Sequence, residues 1–151
     1  LFSCWSVLPF LWEIHIGGHT GALGNGASLV PIVIFDETPR SWADAEFHCQ
    51  SLGGHLASVH SWLESIFLKA LTFDLPLTWI GGTDGGQPEM SQYKSWSWTD
   101  GSGFNYQQWA EGMPNNSIGG ELCIQMNFGD KHRWNNEVCE KHFASVCSQS
   151  D

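Results

Sequence analysis

Cys139, His142 and Cys147 have the spacing C-x2-H-x4-C, with Cys123 sixteen residues earlier. Two chemistries fit such a set. Thiolate and imidazole ligands can hold zinc if a fourth ligand such as Cys123 converges on them. The same cysteines, with Cys49 and the isolated Cys4, can instead pair as disulfides, and no close-spaced Cys pair or CxxC redox motif is present. Metal depletion with a free-thiol count separates the two readings. His48, His55 and His60 cluster around a predicted helix end, where solvated or capping roles fit better than a metal site. The chain has no G-x-S-x-G elbow, no G-x4-G-K phosphate loop and no H-E-x-x-H, so the reading is a binding protein and not an enzyme.

The elements that position these residues must fit one domain. A chain of 151 residues is long enough for a conventional core. Its net charge of −10, with only six Lys and Arg, excludes a phosphate-backbone partner. The apolar run Leu1 to Trp12 is too short to span a bilayer, which takes about 20 residues. It reads as the remainder of a signal-peptide core or as a segment packing on the domain. The Gly-rich stretch from Gly17 to Gly26 reads as a loop or linker, and residues 1–29 are left as an unassigned extension.

Val30 to Phe35 reads as a strand begun or edged by Pro31. Ser41 caps a predicted helix whose Trp42, Ala45, Cys49 and Leu52 form one stripe, and Gly53-Gly54 stops it. Ser61-Trp62-Leu63-Glu64 has capping-box form, and the helix it begins is expected to bury Leu63, Ile66, Phe67, Ala70 and Leu71. It ends before Leu75-Pro76. Short strands and long loops follow, at Trp79-Ile80, Ser95 to Trp98, Leu122 to Phe128 and Ala144 to Cys147. The fold class is α+β.

Trp79-Ile80-Gly81-Gly82, the Trp-Ala-Glu-Gly-Met-Pro-Asn-Asn run at 109–116, Gly120-Glu121-Leu122-Cys123, Trp134-Asn135-Asn136 and the closing Cys139 and Cys147 resemble the C-type lectin-like domain over residues 30–151. The resemblance implies two helices packed on small antiparallel sheets with a long loop region. It also implies two disulfides, Cys49–Cys147 and Cys123–Cys139, which leaves Cys4 over, either for an intermolecular contact or for removal with a leader segment. Members with an extra N-terminal hairpin carry a further Cys pair that this chain does not reproduce. A secreted, extracellular protein is the implied setting.

In sugar-binding members of that family, a Glu-Pro-Asn or Gln-Pro-Asp loop, a later Glu and an Asn-Asp pair after a Trp hold calcium, and sugar hydroxyls complete its oxygen shell. Carried over position by position, Asn115, Glu121 and Asn135 match as weak calcium ligands, and Pro114 matches a proline that is typically cis. Met113 stands for the Glu or Gln, and Asn136 for the Asp. Three carboxylates become one, and a soft thioether is no substitute at a hard ion. Calcium is therefore expected to bind weakly or not at all, unless Glu111 or Glu137 swings in. The ligand-binding set is Met113, Asn115, Glu121, Asn135 and Asn136, with glycans or glycoconjugates as partners.

Two other readings stand beside the lectin. Type II antifreeze proteins resemble this domain, and Thr78, Thr83, Thr99 and the neutral loop around Met113 are candidates for an ice-binding face. A protein-binding module assembling through Cys4 or the apolar N-terminal run is the third. Pro114, Asn115 and Asn116 are also ordinary turn residues, and Trp79 and Trp134 fit a core role. Asn115-Asn116-Ser117 is a glycosylation sequon whose glycan would cover the loop.

Overall fold

The computed structural model describes residues 13–14, 32–86, 95–115 and 119–149. Cys4, the apolar run 1–12, the Gly-rich stretch 17–26, Val30, Pro31, and the Asn116 and Ser117 of the sequon lie outside them. The elements are β1 (Glu13–Ile14), β2 (Ile32–Arg40), α1 (Trp42–Ser51), β3 (His55–Leu56), α2 (Trp62–Leu71), β4 (Thr78–Thr83), β5 (Ser97–Trp98), β6 (Leu122–Phe128), β7 (Arg133–Val138) and β8 (Phe143–Gln149).

The strands join in a single mixed sheet of order β1-β2-β8-β4-β6-β7, with β3 on β8 and β5 on β4. The small antiparallel sheets expected from the sequence are replaced by this one sheet. Parallel pairing of β4 with β8, Thr78 to Ala144 and Trp79 to Ser145, merges the two halves. Such a pairing of distant segments leaves no mark on local alternation. β7, not anticipated as a strand, pairs with β6 through Ile124–Asn136 and Gln125–Asn135.

Both helices start where the capping residues placed them. The Ser41 hydroxyl accepts from the Asp44 N–H at 3.2 Å, satisfying one of the amides a helix start leaves open. α1 buries Ala45, Cys49 and also Glu46. The Glu46 carboxylate accepts from the Leu56 N–H at 2.8 Å and from the Gln50 amide at 2.9 Å, so its burial is compensated. Leu52, expected on the stripe, is the C-cap and is exposed. In α2 the Ser61 hydroxyl accepts from Glu64 N–H, while the Glu64 carboxylate reaches back to the His60 N–H at 2.6 Å.

The buried face of α2 differs from the expected one. Ser65, Leu68 and the following Thr72 are buried, whereas Leu63 is 68% and Ile66 41% exposed. Phe67 and Leu71 are partly buried against the core. Periodicity selects one apolar half of the helix, but Trp62, Leu63, Ile66 and Ala70 on that half are exposed and the opposite face is the buried one. Polar contacts set the rotation instead: Ser65 donates to the Gln108 side chain, and Thr72 accepts from the Asn127 amide at 3.0 Å.

Two core clusters flank the sheet. One gathers Val33, Val59, Leu68, Ile80, Trp98, Ile124, Trp134 and Val146; the other packs Ala45, Leu56 and Trp79 around the cystines. Trp79 and Trp134 are both core residues, as read from the sequence. Cys49 is bonded to Cys147 and Cys123 to Cys139, which removes the zinc alternative for those cysteines. In the chain-entropy account, bridges separated by 98 and 16 residues contribute about 4–5 and about 3 kcal/mol. Among the described residues, no helix is long and apolar enough to cross a membrane.

Candidate functional site

The candidate site is the long loop between β5 and β6 together with the strand β7 beneath it. Trp134 anchors it from below. Its ring meets Trp98, Tyr106 and Trp109 edge to face at 5.5, 6.0 and 5.8 Å, arrangements that aromatic quadrupoles favour. Its backbone donates to Gln108 and accepts from Ala110, both at 2.8 Å, so residues 108–110 run along β7 as a short parallel bridge.

A polar knot fixes the start of the same loop. Ser58 and Ser102 both donate to the Asp100 carboxylate at 2.5 Å, and the His60 ring contacts both hydroxyls and the Asn105 side chain at 3.0 Å. Burial alone would raise the Asp100 carboxyl. The hydroxyls of Ser102 and Ser58, the Ser102 N–H and the nearby His60 outweigh it and hold the group below its ordinary 3.8. The three helix-end histidines do not converge. His48 lies 3.0 Å from Asp36 and His55 bonds Glu46, while His60 belongs to this knot.

At the loop tip the Met113-Pro114 peptide is cis. Beyond it, Asn115 and Asn136 are joined by two reciprocal bonds. The Asn115 N–H donates to Asn136 Oδ1 at 2.8 Å, and Asn136 Nδ2 donates to the Asn115 carbonyl at 2.9 Å. Asn136 is 1% exposed and is held in β7 by its register opposite Ile124. The amide therefore clamps the loop to the sheet, and the oxygen of Asn136 is spent on a backbone N–H. Asn135 is likewise buried, 6% exposed, opposite Gln125.

Glu121 is exposed and accepts from the Thr83 hydroxyl at 3.2 Å. Its carboxylate lies within 4.8 Å of the Cys123 and Cys139 sulfurs, atoms that are bonded to each other and cannot serve as thiolate ligands. Of the two acids that could have compensated for Met113 and Asn136, one is engaged elsewhere and the other lines a cleft. Glu137 accepts from the Val138 N–H at 2.9 Å and pairs with Lys141 at 3.1 Å, while Glu111 lines a separate cleft beside Trp109. One carboxylate, three neutral amides of which Asn136 has its oxygen spent on a backbone N–H, and a thioether fall short of the six to eight hard oxygens that calcium takes, so the residues present do not fit a calcium site.

The structure thus unites Asn115 with Asn136 and places Met113 at the cis peptide above them, while Glu121 is tied to β4. Sequence reasoning missed Thr83 and Asp84 as supports. Asp84 Oδ1 accepts from both the Gly86 N–H and the Leu122 N–H at 3.0 Å. Asp84-Gly85-Gly86 was a legible turn signal, but its partner Leu122 is 38 residues away.

The family profile described as the lectin C-type domain matches residues 38–149. Ladderlectin of Oncorhynchus mykiss is 47% identical over 122 residues, covering 78% of this chain and 62% of that protein. The chain thus spans less than two thirds of that relative's length. The solved structure of herring type II antifreeze protein superposes with a TM-score of 0.71 at 33% identity, covering 85% of this chain and 94% of that one. A structure described as a calcium-independent type II antifreeze protein gives 0.69 at 30% identity, covering 87% and 98%.

Proposed function

This chain belongs to the lectin C-type domain family, and from that premise we propose that it is a secreted saccharide-binding protein whose loop works without calcium. The observation that carries the reading is the two-bond clamp between Asn136 and Asn115. An ion in such a loop neutralises clustered carboxylates and orders the backbone. Here a neutral amide orders the backbone and the carboxylate cluster is missing, so calcium has neither task.

The polar groups within reach of a sugar are those of half-buried Asn115 and exposed Glu121. A carboxylate accepts hydroxyl protons and an amide both donates and accepts, which suits vicinal hydroxyls. Met113 adds apolar surface for a sugar C–H face. Asn135 and Asn136 are positioning residues. The domain is assigned to residues 30–151, with 1–29 given no role, and the paired cystines fit an oxidising, extracellular setting. Neither a catalytic step nor a nucleic-acid partner is assigned.

A glycan-binding screen run in calcium and in chelator tests this, alongside calorimetric titration of calcium. The expected result is sugar retention that is the same in both buffers and no calcium heat. Retention only in calcium, or none in either buffer, overturns it.

A second reading, ice binding, is favoured by the likeness to type II antifreeze structures. Thr78 is fully buried and drops out of the candidate face. Thr83 and Thr99 stay partly exposed near one another, because β5 pairs with β4 through Gly82–Trp98 and Thr83–Ser97. Thermal hysteresis in purified protein would establish this reading, and its absence leaves the saccharide reading alone.

A further inference from the structure

The turn between β6 and β7 forms one wall of a concavity whose lining residues do not include Met113, Asn115, Glu121 or Asn136, although Trp109 to Glu111 belong to the same long loop. Trp109 and Glu111 face Phe128, Asp130, Lys131 and Arg133 around a cavity of about 500 Å³. That volume lies within the range of small-molecule sites and suits one or two sugar rings. The walls are rigid. Trp109 is held by the bridge to Trp134 and by its ring packing on Trp96 at 5.0 Å, with its indole N–H donated to Gln107 at 3.0 Å. The turn is closed by the His132 N–H bond to Gly129 O at 3.1 Å.

The charges in the cleft are unusual for this chain. Of six Lys and Arg in a protein of net charge −10, Lys131 and Arg133 line it. Lys69 on α2 is close by. Burial, and then the positive charge of Arg133, push the Lys69 ammonium below its usual range. Among the described residues these three cations make no ion pair, although Glu111 and Asp130 share the cleft with two of them. Acids and bases that line one cleft without pairing leave both sets free for a ligand.

We propose that this cleft is a binding site for an acidic saccharide. Arg133 and Lys131 take its carboxylate or sulfate, because a guanidinium fork matches either oxyanion. Glu111 and Asp130 accept protons from its hydroxyls. Trp109 and Phe128 supply the apolar surface against which a sugar ring packs. Neutral sugars lack the group that Arg133 needs, so the cleft discriminates by charge. Its ligand does not depend on the Asn115–Asn136 loop.

The test is calorimetric titration of the full chain with sialyllactose, a heparin-derived sulfated disaccharide and lactose. Wild type is compared with Arg133→Gln, Lys131→Gln and, for the other loop, Glu121→Gln. All three positions are exposed, so folding is expected to be unchanged, and a thermal melt checks that. Either acidic probe should bind and weaken about tenfold in Arg133→Gln, while staying as tight in Glu121→Gln. Binding of sialyllactose alone assigns a carboxylate ligand, and of the heparin disaccharide alone a sulfate. The proposal is overturned if acidic probes bind no better than lactose, if Arg133→Gln and Lys131→Gln bind them as well as wild type, or if Glu121→Gln is the variant that loses them. Absence of any neutral-sugar retention in the glycan screen counts against the loop reading and not against this cleft.

Discussion

Replacing Asn136 by alanine removes both bonds of the clamp, at 2.8 and 2.9 Å, from a position 1% exposed. Each bond contributes about 1 kcal/mol net, and the stranded N–H and carbonyl of half-buried Asn115 add about 1 kcal/mol more, for a total of about 3 kcal/mol. In a domain of this size about 1 kcal/mol moves the melting temperature by about 2–4 °C, so the variant should melt about 6–12 °C below wild type. Scanning calorimetry in calcium and in chelator is the assay. Wild type should give the same Tm in both. Asn136→Asp keeps the acceptor for the Asn115 N–H but sets a carboxylate oxygen against the Asn115 carbonyl, now 2.9 Å from the amide nitrogen. It should therefore melt low in chelator and recover partly in calcium. A Tm for Asn136→Ala within about 2 °C of wild type, or a wild-type Tm that drops on chelation, would refute the idea that this amide replaces the ion.

Other outcomes follow from the packing and the charges. Asp36 and Asp100 are both held below the ordinary 3.8, each against the opposing effect of burial, by bonds from Thr38 and Arg40 and from Ser102 and Ser58 respectively. The unfolded chain then binds more protons, so their stabilisation is whole above about pH 5 and is lost as the pH falls through 3.8 and below; acid melts should show a shallower loss in Asp100→Asn. A Cβ on Gly81 would lie 2.5 Å from the Leu56 carbonyl oxygen, so Gly81→Ala should cost about 2–3 kcal/mol in urea unfolding. On α2, Leu63→Lys should change stability by less than about 0.5 kcal/mol while Leu68→Ala costs about 3 kcal/mol, which tests the rotation of that helix.

How much was legible in the sequence depended on the range of the interaction. Ser41, Ser61 and Glu64 announced both helix starts because capping bonds span three or four residues. The rotation of α2 was not legible, since the apolar half that periodicity selects carries the exposed Trp62, Leu63 and Ile66, and the contacts on the buried side come from the distant Gln108 and Asn127. Strand β7 was hidden behind polar letters, Asn135, Asn136 and Glu137, whose strand character comes from pairing with β6.

At the site, the residue types alone determined the loss of carboxylates, because Met113 and Asn136 carry no charge whatever their surroundings. The spaced motifs likewise determined the family and, through it, the two cystine pairs. Only the tertiary structure decided that Asn136 turns its amide onto Asn115, that Glu121 leans on Thr83, and that Arg133 and Lys131 face Trp109 across a cleft. Each of those contacts joins segments 20 or more residues apart, and where such segments meet is set by the sheet and not by the letters between them.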